Sequence, residues 1–233
     1  MLRLEQVELR AGDFTLHADW AVAPGTKLAV IGPSGAGKTT LIEAIAGFRN
    51  LSGGRILWDG QDISRAAPGA RPVAMLFQDG NLFPHLSVAQ NAGLGLRPDL
   101  RLSPDQRAQV VAALERVGLA GLADRKPGAL SGGQQSRAAL ARVLLQDKPL
   151  LLLDEPFAAL GPALKAEMLD LVAELAAEKG ATLMMITHDP EDARRIAGQT
   201  IVVAEGRAAS PQPTVEVLDK PPPALQEYLA SSA

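Results

Sequence analysis

Cysteine is absent from the 233-residue chain. That removes disulfides, thiolate zinc sites, iron–sulfur clusters and cysteine nucleophiles from consideration together, and a reducing compartment fits. Aromatic side chains are scarce at 3%, and 23 basic residues are outnumbered by 26 acidic ones, for a formal net charge of −3. A nucleic-acid groove needs a basic stripe and stacking platforms, so no nucleic-acid partner is expected. Long apolar runs are missing too. None approaches the ~18 uninterrupted residues of a membrane-spanning helix. Glu5 and Glu8 interrupt the stretch Met1 to Arg10 where a signal peptide would be apolar. Any membrane role is therefore expected to come through a partner. What is present, 47% apolar and 21% charged residues, is the composition of an ordinary globular protein. The length suits one large domain or a core with an inserted subdomain.

Leu2, Leu4, Val7 and Leu9, then Phe14, Leu16, Ala18, Trp20 and Val22, alternate with mostly polar neighbours and predict two half-buried strands. Lys27 to Ile31 is an apolar run ending at Gly32, and Thr39 to Phe48 carries a helical pattern, so a glycine-rich turn joins strand to helix. Arg55 to Trp58 with Asp59 and Gly60 reads as strand and tight turn, and Val73 to Phe77 as a buried strand. From Ser87 to Gln146 the periodicity is helical. Ser103, Pro104 and Gln106 open a helix with a capping box. Val110, Val111, Leu114 and Val117 are placed on one face of it, and Gly118 stops it. A second helix starts at Ser131. After Pro149 the alternation resumes, with Leu150 to Asp154 and Thr182 to Thr187 as strands around a helix from Ala163 to Lys179. A hairpin-like stretch surrounds Glu205 and Gly206, and a short helix follows Pro221 to Pro223. Such alternation predicts a parallel sheet with helices packed on it.

Gly32-Pro33-Ser34-Gly35-Ala36-Gly37-Lys38-Thr39 matches the phosphate-loop pattern G-x-x-x-x-G-K-S/T between a strand and a helix, with Thr40 beside it on the helix. Glycines let successive backbone N–H groups converge on phosphate oxygens, and the helix turns its positive end toward them. Lys38 reaches the β and γ phosphates, and the Thr39 hydroxyl takes Mg²⁺. Leu150 to Leu153 deliver Asp154 and Glu155 at a strand's C-terminal end, where open α/β sheets bind ligands. Asp154 would hold Mg²⁺ directly or through water, and Glu155 would orient and polarise the attacking water. At Leu130-Ser131-Gly132-Gly133-Gln134 a serine cap and glycines at a helix start leave N–H groups for an anion.

Together with the phosphate loop and Asp154-Glu155, this last segment closely resembles the signature motif of ATP-binding cassette (ABC) proteins, and the resemblance covers nearly the whole chain. It implies an α/β fold: a P-loop NTPase core with a mixed parallel sheet, an N-terminal antiparallel β subdomain and an inserted helical subdomain. The chain would be a single domain over 1–233, with 1–86 and 147–233 as the nucleotide-binding core and 87–146 as the helical signature subdomain. Gln78 looks like the glutamine that senses Mg²⁺ and the transmembrane partner, and His188 like the switch histidine that contacts the γ phosphate. The implied catalytic set is then Glu155, His188 and Gln78, with Thr39, Gln78 and Asp154 at the metal. Gly32 to Thr40 and Ser131 to Gln134 would bind the nucleotide.

ABC proteins of this kind work as head-to-tail dimers that sandwich each ATP between one subunit's phosphate loop and the other's signature. The implied partners are a second copy of the chain, transmembrane permease subunits and, indirectly, a periplasmic solute-binding protein. The implied place is the cytoplasmic face of a bacterial inner membrane. Gly80 to Leu86 puts Leu82, Phe83 and Leu86 on a stretch resembling the importer surface that receives a coupling helix. Pro72 to Gln78, Asn91 to Leu96 and Glu191 to Ala197 look most like the ATPase subunit of bacterial thiamine importers. The chain lacks the long C-terminal extension of many sugar, sulfate and molybdate importer ATPases, which disfavours those relatives. Nothing in an ATPase subunit touches the cargo, so iron or a polyamine stays open beside thiamine and its phosphate esters. A soluble ABC ATPase acting on DNA or ribosomes would carry a long coiled coil or a second cassette. Two positions depart from the family pattern. Ala158-Ala159-Leu160-Gly161 stands where Ser-Ala-Leu-Asp is usual, and Phe14, near the expected adenine-stacking aromatic, alternates with Leu16 as a core residue would.

Overall fold

Strands buried on both faces must be apolar at every position, and alternate side chains of such strands enter different cores. This chain does so through most of its parallel sheet, with Lys27, Asp154, Thr182, Gln199 and Thr200 as the polar exceptions. The structure is a computed structural model that describes residues 1–78, 80–158 and 160–226. In chain order the elements are β1 (Leu2–Ala11), β2 (Phe14–Val22), β3 (Lys27–Ile31), α1 (Lys38–Ala46), β4 (Gly53–Trp58), β5 (Gln61–Asp62), β6 (Val73–Leu76), α2 (Val88–Gly93), α3 (Pro104–Arg116), α4 (Gly132–Leu145), β7 (Leu150–Asp154), α5 (Pro162–Glu178), β8 (Thr182–Ile186), α6 (Pro190–Ile196), β9 (Gln199–Ala204), β10 (Arg207–Ala208), β11 (Gln212–Pro213) and α7 (Thr214–Asp219). The strands form one mixed sheet in the order β5-β4-β1-β2-β10-β9-β3-β8-β7-β6, with β11 paired to β9. β9, β3, β8, β7 and β6 are mutually parallel, and β5, β4, β1 and β2 are antiparallel.

Ile31, Leu76, Leu151, Leu153 and Met185 face one core with the helices of the insertion and α5. Val30, Met75, Leu150, Leu152 and Ile186 face the other, with α1 and the antiparallel strands. The expected mixed sheet, antiparallel N-terminal strands and helical insertion are all present. In β1 the apolar spacing changes phase between Leu4 and Val7. A bulge absorbs the extra residue: the register with β2 shifts there, Gln6 adopts a positive φ of 48°, and both apolar pairs, Leu2 with Leu4 and Val7 with Leu9, stay on the buried face.

Ser87, Ser103 and Ser131 each cap a helix of the insertion through a reciprocal box with the glutamine three residues on. A serine cap of this kind is worth about 1 kcal/mol. On α3 only Val110 and Leu114 are buried, with Val117 at its C-cap; Val111 is 50% exposed. At about 100° per residue it lies a quarter-turn off the stripe, so its placement on the buried face is corrected. α1 ends at Ala46 because Gly47 takes the left-handed C-cap conformation, which leaves Phe48 outside the helix and half exposed. α7 precedes the proline cluster, and the short helix expected after it lies partly outside the described residues.

Candidate functional site

The carboxyl ends of β3, β7 and β8 lie side by side, and parallel registry sets what meets there. Val30 pairs with Ile186, Asp154 with Ile186, and Leu76 with Leu153. The phosphate loop, Gln78, Glu155 and His188, each just beyond these pairs, therefore emerge along one edge. The loop leaves β3 at Gly32 in a conformation with φ of 154°, where any Cβ would collide with the carbonyl oxygen of Val203. Gly37, the N-cap of α1, has φ of 98°, and a Cβ there would lie 2.8 Å from the Phe14 ring. Phe14 is thus a wedge under the phosphate loop. That location agrees with its core-like alternation.

Lys38 is buried, and its Nζ donates to the Gly32 carbonyl at 2.7 Å and the Pro33 carbonyl at 2.9 Å. Burial pulls the ammonium below its ordinary pKa, while Glu155 and Asp154 pull it back up. The Thr39 hydroxyl donates to Asp154 Oδ1 at 3.4 Å. Asp154 is 4% exposed. Desolvation pushes its carboxyl above the ordinary range, and the neighbouring Glu155 and Glu43 charges add to the push against the opposing Thr39 bond and Lys38. A buried carboxylate with an excess of negative neighbours is a place that a cation completes. Among the described residues no cluster of three or more His, Asp or Glu could cage a metal alone. The donors therefore fit an ion such as Mg²⁺, which takes one or two protein oxygens and fills its sphere with phosphate and water.

The raised pKa has a testable consequence. Folding penalises the ionised form of Asp154, so the penalty is present at neutral pH and eases as pH falls through the raised value. Asp154→Asn is expected to raise the melting temperature of the nucleotide-free protein by a few degrees while abolishing Mg²⁺-dependent hydrolysis. Calorimetry beside an ATPase assay checks both. A lower melting temperature would instead make the carboxylate a structural strand end.

Glu155 continues the ladder past β7, its N–H donating to the Ile186 carbonyl at 3.2 Å. Its backbone sits at φ of 45°, a left-handed conformation that costs a non-glycine residue about 1 kcal/mol or more. The strain turns its side chain to His188, whose Nε2 pairs with Glu155 Oε1. Gln78 is exposed in the turn after β6. Ser131, as N-cap of α4, accepts from Gln134 N at 3.3 Å, while Gln134 Oε1 accepts from Ser131 N at 2.9 Å. The Gln134 side chain is thereby engaged in the cap. The Ser131 hydroxyl proton and the N–H groups of Gly132 and Gly133, which a helix start cannot satisfy internally, remain to meet an anion. No hydrogen bond among the described residues joins this helix start to the phosphate loop. Gly161 is the N-cap of α5 without a side-chain bond, and a Cβ there meets nothing within 4 Å.

Several positioning residues escape a reading of sequence. Arg71 is buried and donates to the carbonyls of Ala44 and Ile45, both at 2.8 Å, which ties down the C-terminal end of α1. Arg142 on α4 donates to the carbonyls of Gly80 and Asn81, both at 2.8 Å, and so fixes the turn that follows Gln78. Asn91 receives the Phe83 N–H at 2.7 Å and donates to the Phe83, Leu86 and Ser87 carbonyls, which shapes the loop 83–87. Lys165 pairs with Asp189 and Asp192. Each is a long-range or loop contact, and the partners, like the burial of Arg71 and Asn91, are invisible in the chain alone.

Residues 16–158 match the family model described as ABC transporter. The chain is 62% identical over 231 residues to the Thiamine import ATP-binding protein ThiQ of Ruegeria sp., a match that covers 99% of this chain and 100% of that protein. It is 63% identical over 229 residues to the protein of the same name from Cereibacter sphaeroides, covering 98% and 99%. Among solved structures it resembles the dimeric structure of MJ0796, a bacterial ABC transporter cassette, with a TM-score of 0.82 and 27% identity over 92% of this chain and 99% of that one.

Proposed function

Because the chain belongs to the ABC transporter family, we propose that it is the ATPase subunit of an importer for thiamine or its phosphate esters. It would work as a head-to-tail homodimer against membrane permease subunits at the cytoplasmic face of the inner membrane, with a periplasmic binding protein delivering the cargo. The full-length likeness to the thiamine-import relatives carries the cargo assignment. No helix among the described residues is long and apolar enough to cross a membrane, which suits a subunit that borrows its pathway from a partner.

In this reading Lys38 releases the Gly32 and Pro33 carbonyls to hold the β and γ phosphates, and the loop N–H groups surround them. Thr39 and Asp154 would hold Mg²⁺, with Gln78 at its rim; the ion supplies charge neutralisation and a template for the phosphates. Glu155 accepts a hydrogen bond from the attacking water and aligns it with the γ phosphorus, and His188, paired with that carboxylate, faces the γ phosphate. The signature N–H groups of the second copy close the site. Catalysis here is positioning and electrostatics.

The permease surface is a groove of about 650 Å³ whose lining includes Phe48, Phe77, Phe83, Leu96 and Arg142. Phe48 stacks edge-on against Phe77 at 5.4 Å, and Phe83 is 46% exposed. Leu82, by contrast, packs against the main core, because the turn that exposes Phe83 points its predecessor inward. Of the three residues expected at the coupling surface, Leu82 is therefore withdrawn and Phe83 is kept. An exposed aromatic anchor at the centre of an interface is worth about 2 kcal/mol, roughly thirtyfold in affinity. Cells lacking this protein should take up less labelled thiamine at limiting concentrations, and a Phe83→Ser copy should restore ATPase activity without restoring uptake. Normal thiamine uptake with a defect for iron or a polyamine would move the cargo. Equal loss of both activities in Phe83→Ser would make Phe83 structural.

A further inference from the structure

His188 occupies the one-residue link between Thr187, which follows β8, and Asp189, the N-cap of α6. One neighbour of the histidine, Asp189, is tied directly to a side chain of another element, and the other, Thr187, is tied to it through the Asp192 carboxylate. Lys165, in the first turns of α5, places Nζ 2.6 Å from Asp189 Oδ2 and 2.8 Å from Asp192 Oδ1. The second carboxylate oxygen of Asp192 accepts from the Thr187 hydroxyl at 2.7 Å, and that hydroxyl accepts from Asp189 N at 3.0 Å. The other oxygen of Asp189 caps α6 by accepting from Glu191 N at 3.0 Å. Lys165, Asp189 and Asp192 line the same cleft, about 420 Å³, as Glu155 and His188.

α5 is also the element that follows the loop leaving Glu155. The chain thus departs from Glu155, enters α5, and returns through one lysine to both sides of the residue that pairs with Glu155. We infer that Lys165 is a positioning residue for ATP hydrolysis, holding His188 in register with Glu155 by clamping the Thr187–Asp189 link from α5. Burial works against the Lys165 charge, but the bonds to Asp189 and Asp192 outweigh it and hold its pKa above the ordinary value, so the clamp is charged at neutral pH. An ion pair serving only to pack α5 on α6 would have no reason to reach the flanks of the histidine through two carboxylates and a hydroxyl.

The inference rests on the reading that His188 acts in hydrolysis, so the experiment includes that residue. In the full-length chain Lys165→Met is expected to lower kcat on the order of tenfold to a hundredfold, with KM and nucleotide affinity little changed, and Lys165→Arg to restore most of the rate. On a His188→Ala background Lys165→Met should cost nothing further, because both changes remove one positioned group. A multiplicative loss in the double variant overturns the inference, as does a variant whose melting temperature falls while its kcat stays at the wild-type value. His188→Ala hydrolysing at the wild-type rate removes His188 from the mechanism and the clamp with it. A slow His188→Ala beside a normal Lys165→Met sinks the clamp alone. If Lys165→Met does not fold, Lys165→Gln is measured against the same outcomes, since its amide keeps one hydrogen bond and predicts an intermediate loss of kcat.

Discussion

Glu155→Gln is expected to slow ATP hydrolysis on the order of a hundredfold or more while leaving ATP binding intact. The expectation follows from where the side chain sits. Glu155 lies one residue past the buried Asp154, in a strained backbone conformation with φ of 45°, and its carboxylate pairs with His188. A strained residue whose side chain meets the histidine just beyond a neighbouring strand is positioned for a task. Glutamine keeps the volume and one acceptor but loses the charge that favours the nucleophilic water. It also removes one of the negative neighbours that push the Asp154 pKa up. The carboxylate proposed to hold the cation is thereby eased, so affinity for Mg²⁺ and ATP should hold or improve. Hydrolysis is what reopens a head-to-tail dimer, so the variant should accumulate as an ATP-bound dimer on sizing chromatography with Mg²⁺ and ATP. A monomeric variant hydrolysing at the wild-type rate would leave Glu155 as the polar end of a buried strand. Where the isolated chain dimerises too weakly to observe, the membrane complex raises the effective concentration and gives the same comparison.

The parallel core and the phosphate loop were legible because their physics is local. An apolar run, a glycine turn and a helix pattern follow one another within a short stretch, and Lys38 and Thr39 follow from the turn's chemistry. The three serine caps were equally local, and two of them could be placed from spacing alone. What could not be read was set by distant parts of the chain. The phase change between Leu4 and Val7 makes sense only once Gln6 is seen in a bulge against β2. Leu82 and Phe83 are adjacent and both apolar, and their opposite fates depend on Asn91, which bends the backbone between the insertion and the core. Arg71 and Lys165 look like surface cations in the sequence, yet one is buried under α1 and the other clamps two carboxylates. Phe14 had two readings, core or nucleotide stacking. The structure finds its ring against Gly37, a contact that couples the antiparallel strands to the phosphate loop.

Lys38→Ala is expected to separate nucleotide binding from folding. Its ammonium is buried, which places its pKa below the ordinary value despite the pull of Glu155 and Asp154. For a lysine that direction means the charged form is the one folding penalises: the cost is present at neutral pH and is relieved only as pH rises through the lowered value. Removing the side chain therefore removes a penalty along with the bonds to the Gly32 and Pro33 carbonyls. The Pro33 carbonyl is only part-buried, so water can replace the amine there, and the relieved penalty offsets the contact that the buried Gly32 carbonyl loses. The melting temperature of the nucleotide-free variant should accordingly hold or rise. ATP affinity should not survive. A charge-assisted bond to phosphate is worth about 1.5–3 kcal/mol, so its loss corresponds to roughly a tenfold to hundredfold weaker complex. The variant should then stay monomeric at the ATP concentration that converts Glu155→Gln to a dimer. Titration of a fluorescent ATP analogue, with a thermal melt of the same sample, distinguishes the alternatives. Weak binding accompanied by a melting temperature many degrees lower would make Lys38 a structural staple of the loop, and wild-type affinity would remove it from the phosphate site.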